Sequence, residues 1–232
     1  LGEGGMDPTF VIGGKLLAAG ANARLGGGKW LVAEADESDG SFLRLNPAVA
    51  VVTNIDADHL ENYGGDFAKV QEAFAEFLHR LPFYGLAVLC IDDPEVAALA
   101  KDTSRHVMSY GFDESADVRA EDVTQDGPYM RFTLHLPDGS RTPVQLALPG
   151  RHNVQNALAA AAIGWQLGVS PIDIASALRK FEGIGRRFNL LAQLKTAKGA
   201  TVQLVDDYGH HPKELEAVFA AARGGWPDKR LV

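Results

Sequence analysis

Two apolar runs, residues 48–55 and 86–91, flank a stretch, 66–81, in which Phe67, Val70, Phe74, Phe77, Leu78 and Leu81 fall on one helical face. This pattern constrains the fold more than any other feature of the chain. A run that is apolar at nearly every position has no side to offer water, so it needs cover on both faces. The amphipathic stretch between the runs supplies one such cover and is long enough to cross between parallel neighbours. Further strand-like runs at 9–12, 30–34 and 106–110 extend the scheme. The fold class read from this is α/β, with a mostly parallel sheet flanked by helices. Hydrophobic residues make up 46% of 232, enough for one large core or for one domain and a piece of another.

From residue 117 to 148 the character changes. Segments 118–123, 129–136 and 141–148 read as a small antiparallel sub-sheet, with turns at Asp126-Gly127-Pro128 and Pro137-Asp138-Gly139. Helices resume at 153–167, which is alanine-rich, and at 172–181, after the helix start Ser170-Pro171. Gly183 and Gly185 mark a linker. Strands at 190–194 and 201–205 and a helix at 213–223 then open another α/β unit.

The formal net charge of −8, with no basic run, argues against a nucleic-acid groove or an anionic membrane surface as partner. No apolar stretch approaches the ~20 residues that span a bilayer. The lone Cys90 lies in an apolar run and reads as a buried reduced thiol, which fits a cytoplasmic protein. Residues 1–5 resemble a helix end with its glycine stop, and residues 229–232 resemble a strand beginning, so the chain reads as a fragment.

Three segments place polar groups where a purely structural sheet has no need of them. Glu34-Ala35-Asp36-Glu37-Ser38-Asp39 follows one apolar strand, and Asn54-Ile55-Asp56-Ala57-Asp58-His59 ends the next. Ligands of open parallel sheets bind at carboxyl ends of strands, so these clusters are expected to converge. Carboxylates with an imidazole suit Mg²⁺ or Mn²⁺ carried with phosphate oxygens, whereas a zinc cage lacks cysteine ligands. Taken singly, each Asp reads equally as a helix cap or a solvated loop end. The third segment, Asp206-Asp207-Tyr208-Gly209-His210-His211-Pro212, again ends a strand in acids, and a carboxylate there suits ribose hydroxyls better than the paired histidines suit zinc. Asn153 and Asn156 offer the donor–acceptor pairs of a purine edge, or else Asn153 simply caps a helix. Arg186-Arg187 could clamp phosphate or stay solvated on a linker. Gly13-Gly14-Lys15 and Gly27-Gly28-Lys29 lack the spacing and the following Ser or Thr of a phosphate loop and read as turns.

Together these segments resemble the Mur ligase family in order and spacing. The resemblance rests on Phe10-Val11-Ile12-Gly13-Gly14, on the clusters at 34–39 and 52–59, on Leu81-Pro82-Phe83-Tyr84-Gly85, on Pro149-Gly150-Arg151-His152-Asn153 with Asn156-Ala157, on Gly185-Arg186-Arg187-Phe188 and on the segment 206–212. It implies that residues 1–187 are a central ATP-binding domain lacking its phosphate loop, which in the family lies just upstream. Residues 188–232 would then begin a Rossmann-like third domain. The implied reaction is ATP-dependent amide formation through an acyl phosphate. Within the family, Ala73 and Phe74 stand where several sister ligases have a carbamylated lysine, and Lys69 is a turn too early. That departure matches the branch that adds L-alanine to UDP-N-acetylmuramate in peptidoglycan precursor synthesis.

Residue by residue, the resemblance assigns Glu34 and His59 to magnesium beside the ATP phosphates, and to catalysis with Arg187, which reaches the phosphates from the linker. His152, Asn153 and Asn156 match the adenine-side motif. Asp207, or alternatively Asp206, matches the acid that holds the ribose. Ser38, Asn54 and His210 are weaker candidates for substrate contact. The implied partners are UDP-N-acetylmuramate and L-alanine in a bacterial cytoplasm, with room for a homodimer. Two other readings stay open: a recycling ligase that attaches a tripeptide to the same nucleotide sugar, and a non-catalytic nucleotide-binding module.

Overall fold

A computed structural model of the chain describes residues 1–197 and 199–232. It contains three sheets. Strands β1 (Thr9–Leu16), β2 (Ala21–Arg24) and β3 (Leu31–Ala33) form a small sheet in the order β2-β1-β3, with β2 antiparallel and β3 parallel to β1. The main sheet has six strands: β4 (Val49–Val52), β5 (Leu86–Cys90), β6 (His106–Gly111), β7 (Val118–Asp126), β8 (Tyr129–His135) and β9 (Arg141–Leu146). Strands β4 to β7 run parallel, and β7 to β9 pair antiparallel. The third sheet is the hairpin of β10 (Asn189–Lys195) and β11 (Thr201–Asp206). Helices α1 (Phe67–His79), α2 (Pro94–Asp102), α3 (Arg151–Gln166), α4 (Pro171–Lys180) and α5 (Pro212–Gly225) complete the chain. Among the described residues no helix is long and apolar enough to cross a membrane.

The α/β class and the sheet flanked by helices are as the sequence predicts, because β5 is buried at all five positions. Its alternate side chains feed two cores. Leu86, Val88 and Cys90 pack with Tyr110, Leu134 and the alanine-rich face of α3, while Ala87 and Leu89 pack with Val52, Phe42 and the Val70, Phe77 and Leu78 stripe of α1. Period-two strands thus turn one apolar run into cover for helices on both sides. Local signals set the helix ends. Asp66 accepts from Ala68 N at 3.0 Å to start α1, and Ser170 accepts from Asp173 N at 3.1 Å to start α4 with Pro171 at its first position.

The structure corrects the sequence reading in three places. The run 30–34 shortens to β3 and pairs with β1, so it is no neighbour of β4; the two acid clusters end strands of separate sheets. Gly26 and Gly27 donate to Thr9 Oγ1 and Asp7 Oδ2, which pulls the turn before β3 onto the start of β1 and decides the pairing. The antiparallel strands within 118–148 form the expected sub-sheet and join the parallel strands through β6–β7. Strand β4 stops at Val52, leaving Thr53 onward as loop. Helix α2 was not anticipated, although Asp93-Pro94 signals it: Asp93 accepts from Glu95 N and Val96 N, and Val96 is fully buried.

Asp92, at the carboxyl end of β5, is a hub that sequence reasoning passed over. Its carboxylate accepts from Phe112 N at 2.9 Å, from Asp113 N at 3.3 Å and from Gln155 Nε2 of α3 at 2.7 Å. It therefore fixes the first turns of α3 against the β6–β7 connection. Replacing Asp92 with Ala leaves these donors unsatisfied and should lower stability by about 1–3 kcal/mol. Urea unfolding would measure this, and an unchanged midpoint would remove Asp92 from that role.

Candidate functional site

Glu34 leaves β3 with an exposed side chain. Its Oε2 accepts from Gly13 N in the bulged part of β1, and among the described residues Oε1 has no hydrogen-bond partner. A methyl group at Gly13 would sit 3.2 Å from that Oε2, so the glycine allows the close approach. The acids after Glu34 mostly organise their own loop. Asp36 accepts from Ser38 N and Asp39 from Ser41 N, the bland reading that sequence allowed. Asp39 is accordingly held below the usual carboxylate range by its hydrogen bonds to Ser41.

The loop after β4 is stitched to this one. Asn62 Nδ2 donates to Ser38 O at 2.7 Å, and the Tyr63 hydroxyl donates to Glu37 O. His59 stands at the start of that short turn with φ 53, in the left-handed region that few non-glycine residues adopt and where Asn, Asp and His are the commonest of them. Its amide donates to Asp58 Oδ1 at 2.8 Å, and its ring lies 3.6 Å from Asp58 Oδ2 and 3.9 Å from Glu61 Oε1. The His59 ring thus lies near two carboxylates. Asn54 is exposed, with its Oδ1 3.1 Å from Thr53 Oγ1.

No hydrogen bond or ion pair joins Glu34 to His59, and no three His, Cys, Asp or Glu side chains gather as a metal cage among the described residues. A free carboxylate oxygen and an imidazole on adjoining loops fit a hard divalent cation only if most of its ligands arrive with it, as phosphate oxygens and water do. The donor set therefore suits a nucleotide-borne Mg²⁺ or Mn²⁺ and does not suit a resident one.

A second group of sequence-predicted residues meets at the start of α3. Gly150, with φ 96, brings the helix within reach of α5: a methyl there would lie 2.9 Å from Ala221 Cβ and 2.7 Å from the His152 ring. His152 lines an open cleft of about 410 Å³ with Gln125, Met130, Arg151, Ala217 and Ala221. Burial lowers the pKa of the His152 imidazole, opposed by the Asp207 carboxylate and aided by the Arg187 guanidinium. His152, Arg187 and Asp207, from three separated segments, thus share one electrostatic environment. At the rim of this cleft the Arg151 guanidinium stacks on Phe112, 3.9 Å from the ring centroid.

Asn153 and Asn156 behave differently. Asn153 Nδ2 donates to Pro149 O at 2.8 Å, tying the helix to the preceding turn, and Asn156 is exposed. Asp207 accepts from Phe188 N at 2.8 Å and Gly209 N at 2.7 Å, so it organises the loop between linker and α5, whereas Asp206 ends β11. His210 packs edge-on to Tyr208, whose ring also lies under the Arg186 guanidinium at 4.5 Å. The linker is tightly folded, with Arg186 at φ 62 and Phe188 at φ 48.

Glu214 is a further residue that sequence reading missed. Its Oε1 takes Arg187 Nη1 at 3.1 Å, and its Oε2 accepts from His210 N and His211 N. Burial pushes its carboxyl up, but the His210 amide, Arg187 and the His211 amide outweigh that and hold it below the usual range. The signal was present as a helix start, His211-Pro212 followed by Glu214 at the third helical position.

Among known proteins, the model of the Mur ligase middle domain matches residues 18–164. A UDP-N-acetylmuramate–L-alanine ligase of Xanthomonas campestris pv. campestris (strain B100) is 81% identical over all 232 residues, which cover 49% of that relative. The ligase of the same description from Xanthomonas oryzae pv. oryzae (strain PXO99A) is 80% identical over the same span. Of solved structures, the UDP-N-acetylmuramate-alanine ligase MurC of Thermotoga maritima superposes with TM-score 0.81 at 25% identity, over 99% of this chain and 50% of that one. A murein peptide ligase of Psychrobacter arcticus 273-4 matches with TM-score 0.72 at 26% identity, over 99% and 52%. The chain spans about half the length of the curated relatives it matches.

Proposed function

Because the chain belongs to the Mur ligase family, we propose that it is the nucleotide-handling part of an ATP-dependent ligase joining L-alanine to UDP-N-acetylmuramate. The observation that carries the nucleotide reading is the cleft between the start of α3 and α5, lined by His152 and Ala221, with the Asp207 carboxylate tied to the linker by Phe188 N at 2.8 Å. The choice of alanine-adding ligase over the tripeptide-recycling one is supported by the 81% identity to relatives of the former description. Residues 1–187 act as the central domain and 188–232 as the start of the third, a boundary that falls at the folded linker of Arg186 and Phe188. The bacterial cytoplasm is the compartment we assign, where the free, buried Cys90 stays reduced; burial pushes its thiol pKa up and keeps it unreactive.

In the proposed reaction a lactyl carboxylate oxygen attacks the γ-phosphorus of ATP and ADP departs. The alanine amine then attacks the acyl carbon, and inorganic phosphate leaves as the amide forms. Both partners of the first step are anions, so the protein's task is to offset charge and fix geometry. Arg187 supplies a guanidinium from the linker, and Asp207 with His152 orients the nucleoside end. A Mg²⁺ or Mn²⁺ ion held by Glu34 and His59 would neutralise phosphate charge. Asn153 acts by shaping the turn before α3. Asn54 and His210, both exposed, and the half-buried Ser38 stay as candidates for substrate contact, and Asn156 and Asp206 as secondary candidates on the nucleotide side.

The full-length protein tests this. Phosphate release should require ATP, UDP-N-acetylmuramate and L-alanine together, with a divalent cation. Turnover with a tripeptide but not with L-alanine would make it the recycling ligase. Nucleotide binding with no turnover on any amine would make it a binding module.

A further inference from the structure

The first turn of α5 reaches across to the loop that carries His59. Lys213 Nζ lies 2.8 Å from Asp56 Oδ1, and the same carboxylate accepts from Ala57 N at 2.8 Å. The neighbouring residue on that turn, Glu214, holds Arg187 of the linker. Farther along the helix, Gln125 Nε2 of β7 donates to Ala221 O at 2.8 Å, and Trp226 stacks on Phe188 with centroids 6.1 Å apart. Of these moorings, Lys213–Asp56 is the ion pair that connects the segment after the linker directly to the loop ending in His59.

We propose that Lys213 is a positioning residue: by pairing with Asp56 it holds α5, and with it the Asp207–His211 loop and Arg187, closed against the His59 loop during turnover. This rests on the ligase reading above. Lys213 touches none of the reacting atoms in that scheme. The pair is half exposed, with 66% of the Lys213 side chain open to solvent, so its free energy is that of a surface bridge. That weakness suits a device that biases closure and still lets product leave. Burial pushes the Asp56 carboxyl up, while Lys213 and the Ala57 amide outweigh it and keep it charged; the hydrogen bond to Asp56 in turn raises the Lys213 ammonium. A nucleotide that binds only the closed arrangement loses apparent affinity in proportion to the closed fraction.

The test is a charge-exchange series in the full-length ligase, reading KM for ATP and kcat separately. Lys213→Ala should raise KM about threefold and Lys213→Asp about tenfold, with kcat within about twofold of wild type. Asp56→Lys alone should also raise KM, and the double exchange Lys213→Asp with Asp56→Lys should restore most of the loss. Helical content and unfolding midpoint of Lys213→Asp should match wild type, since the position is exposed. Unchanged KM in both Lys213 variants, or a double variant no better than its worse parent, overturns the proposal. Wild-type protein with no ligase activity at all would instead remove the functional reading on which it rests.

Discussion

His59→Asn in the full-length ligase should lower kcat/KM by on the order of 10²–10³-fold while leaving the unfolding midpoint where it is. The size follows from what loss of one preorganised charge-stabilising group costs in other sites. Asn is chosen because the backbone at residue 59 is left-handed, φ 53, a conformation that Asn accepts as readily as any side chain except Gly. Alanine would confound the result, since it brings its own backbone strain. The structural partners of His59 are its backbone amide on Asp58 and carboxylates that reach its ring at 3.6 and 3.9 Å. None of these makes the ring a keystone of packing, so a fall in activity without a fall in stability isolates chemistry. Kinetics beside thermal unfolding measures both halves. If the variant turned over within tenfold of wild type, His59 would be a turn residue and no more.

Leu89→Ala should destabilise the domain by about 2–5 kcal/mol. Leu89 is fully buried on β5, next to the edge strand β4, and packs with Val52, Phe77 and Leu78, with α1 and α2 closing over it. Truncation removes both the transfer free energy and the packing of a site walled by a sheet and two helices, which has little room to collapse. For a protein of this size each kcal/mol shifts the midpoint by roughly 2–4 °C, so a loss of order 10 °C is expected. Phe83→Ala gives the contrast. Phe83 is 91% exposed, and its ring packs edge-on to the exposed Tyr84, so the change should stay within about 0.5 kcal/mol. Equal losses for Leu89 and Phe83 would mean that the two-sided core around β5 is wrong.

The fold was legible where one local pattern sufficed. Strand β5 and helix α1 follow from burial period alone, and α4 follows from Ser170-Pro171. What escaped was pairing. Nothing in Leu31–Ala33 distinguishes a neighbour of β1 from a neighbour of β4; the choice lies in side-chain bonds from Asp7 and Thr9 to a glycine turn. Likewise, the expected convergence of Glu34 and His59 rested on adjacent strands, and the structure brings their loops together by a different route, through Asn62 and Tyr63. On the nucleotide side, His152, Arg187 and Asp207 are proposed from the family resemblance alone. Glu214, Lys213 and Asp92 were not legible, because each acts through a partner 27 to 157 positions away in sequence, and an isolated carboxylate or lysine carries no mark of its partner.

The most direct measurement follows an oxygen atom. UDP-N-acetylmuramate labelled with ¹⁸O in its lactyl carboxylate is turned over by the full-length protein with ATP and L-alanine, and the phosphorus products are analysed by mass. Passage through an acyl phosphate at this site transfers one labelled oxygen to inorganic phosphate for each amide formed, leaving ADP unlabelled. Label found in AMP, or phosphate released with no label while the amide forms, would contradict the account.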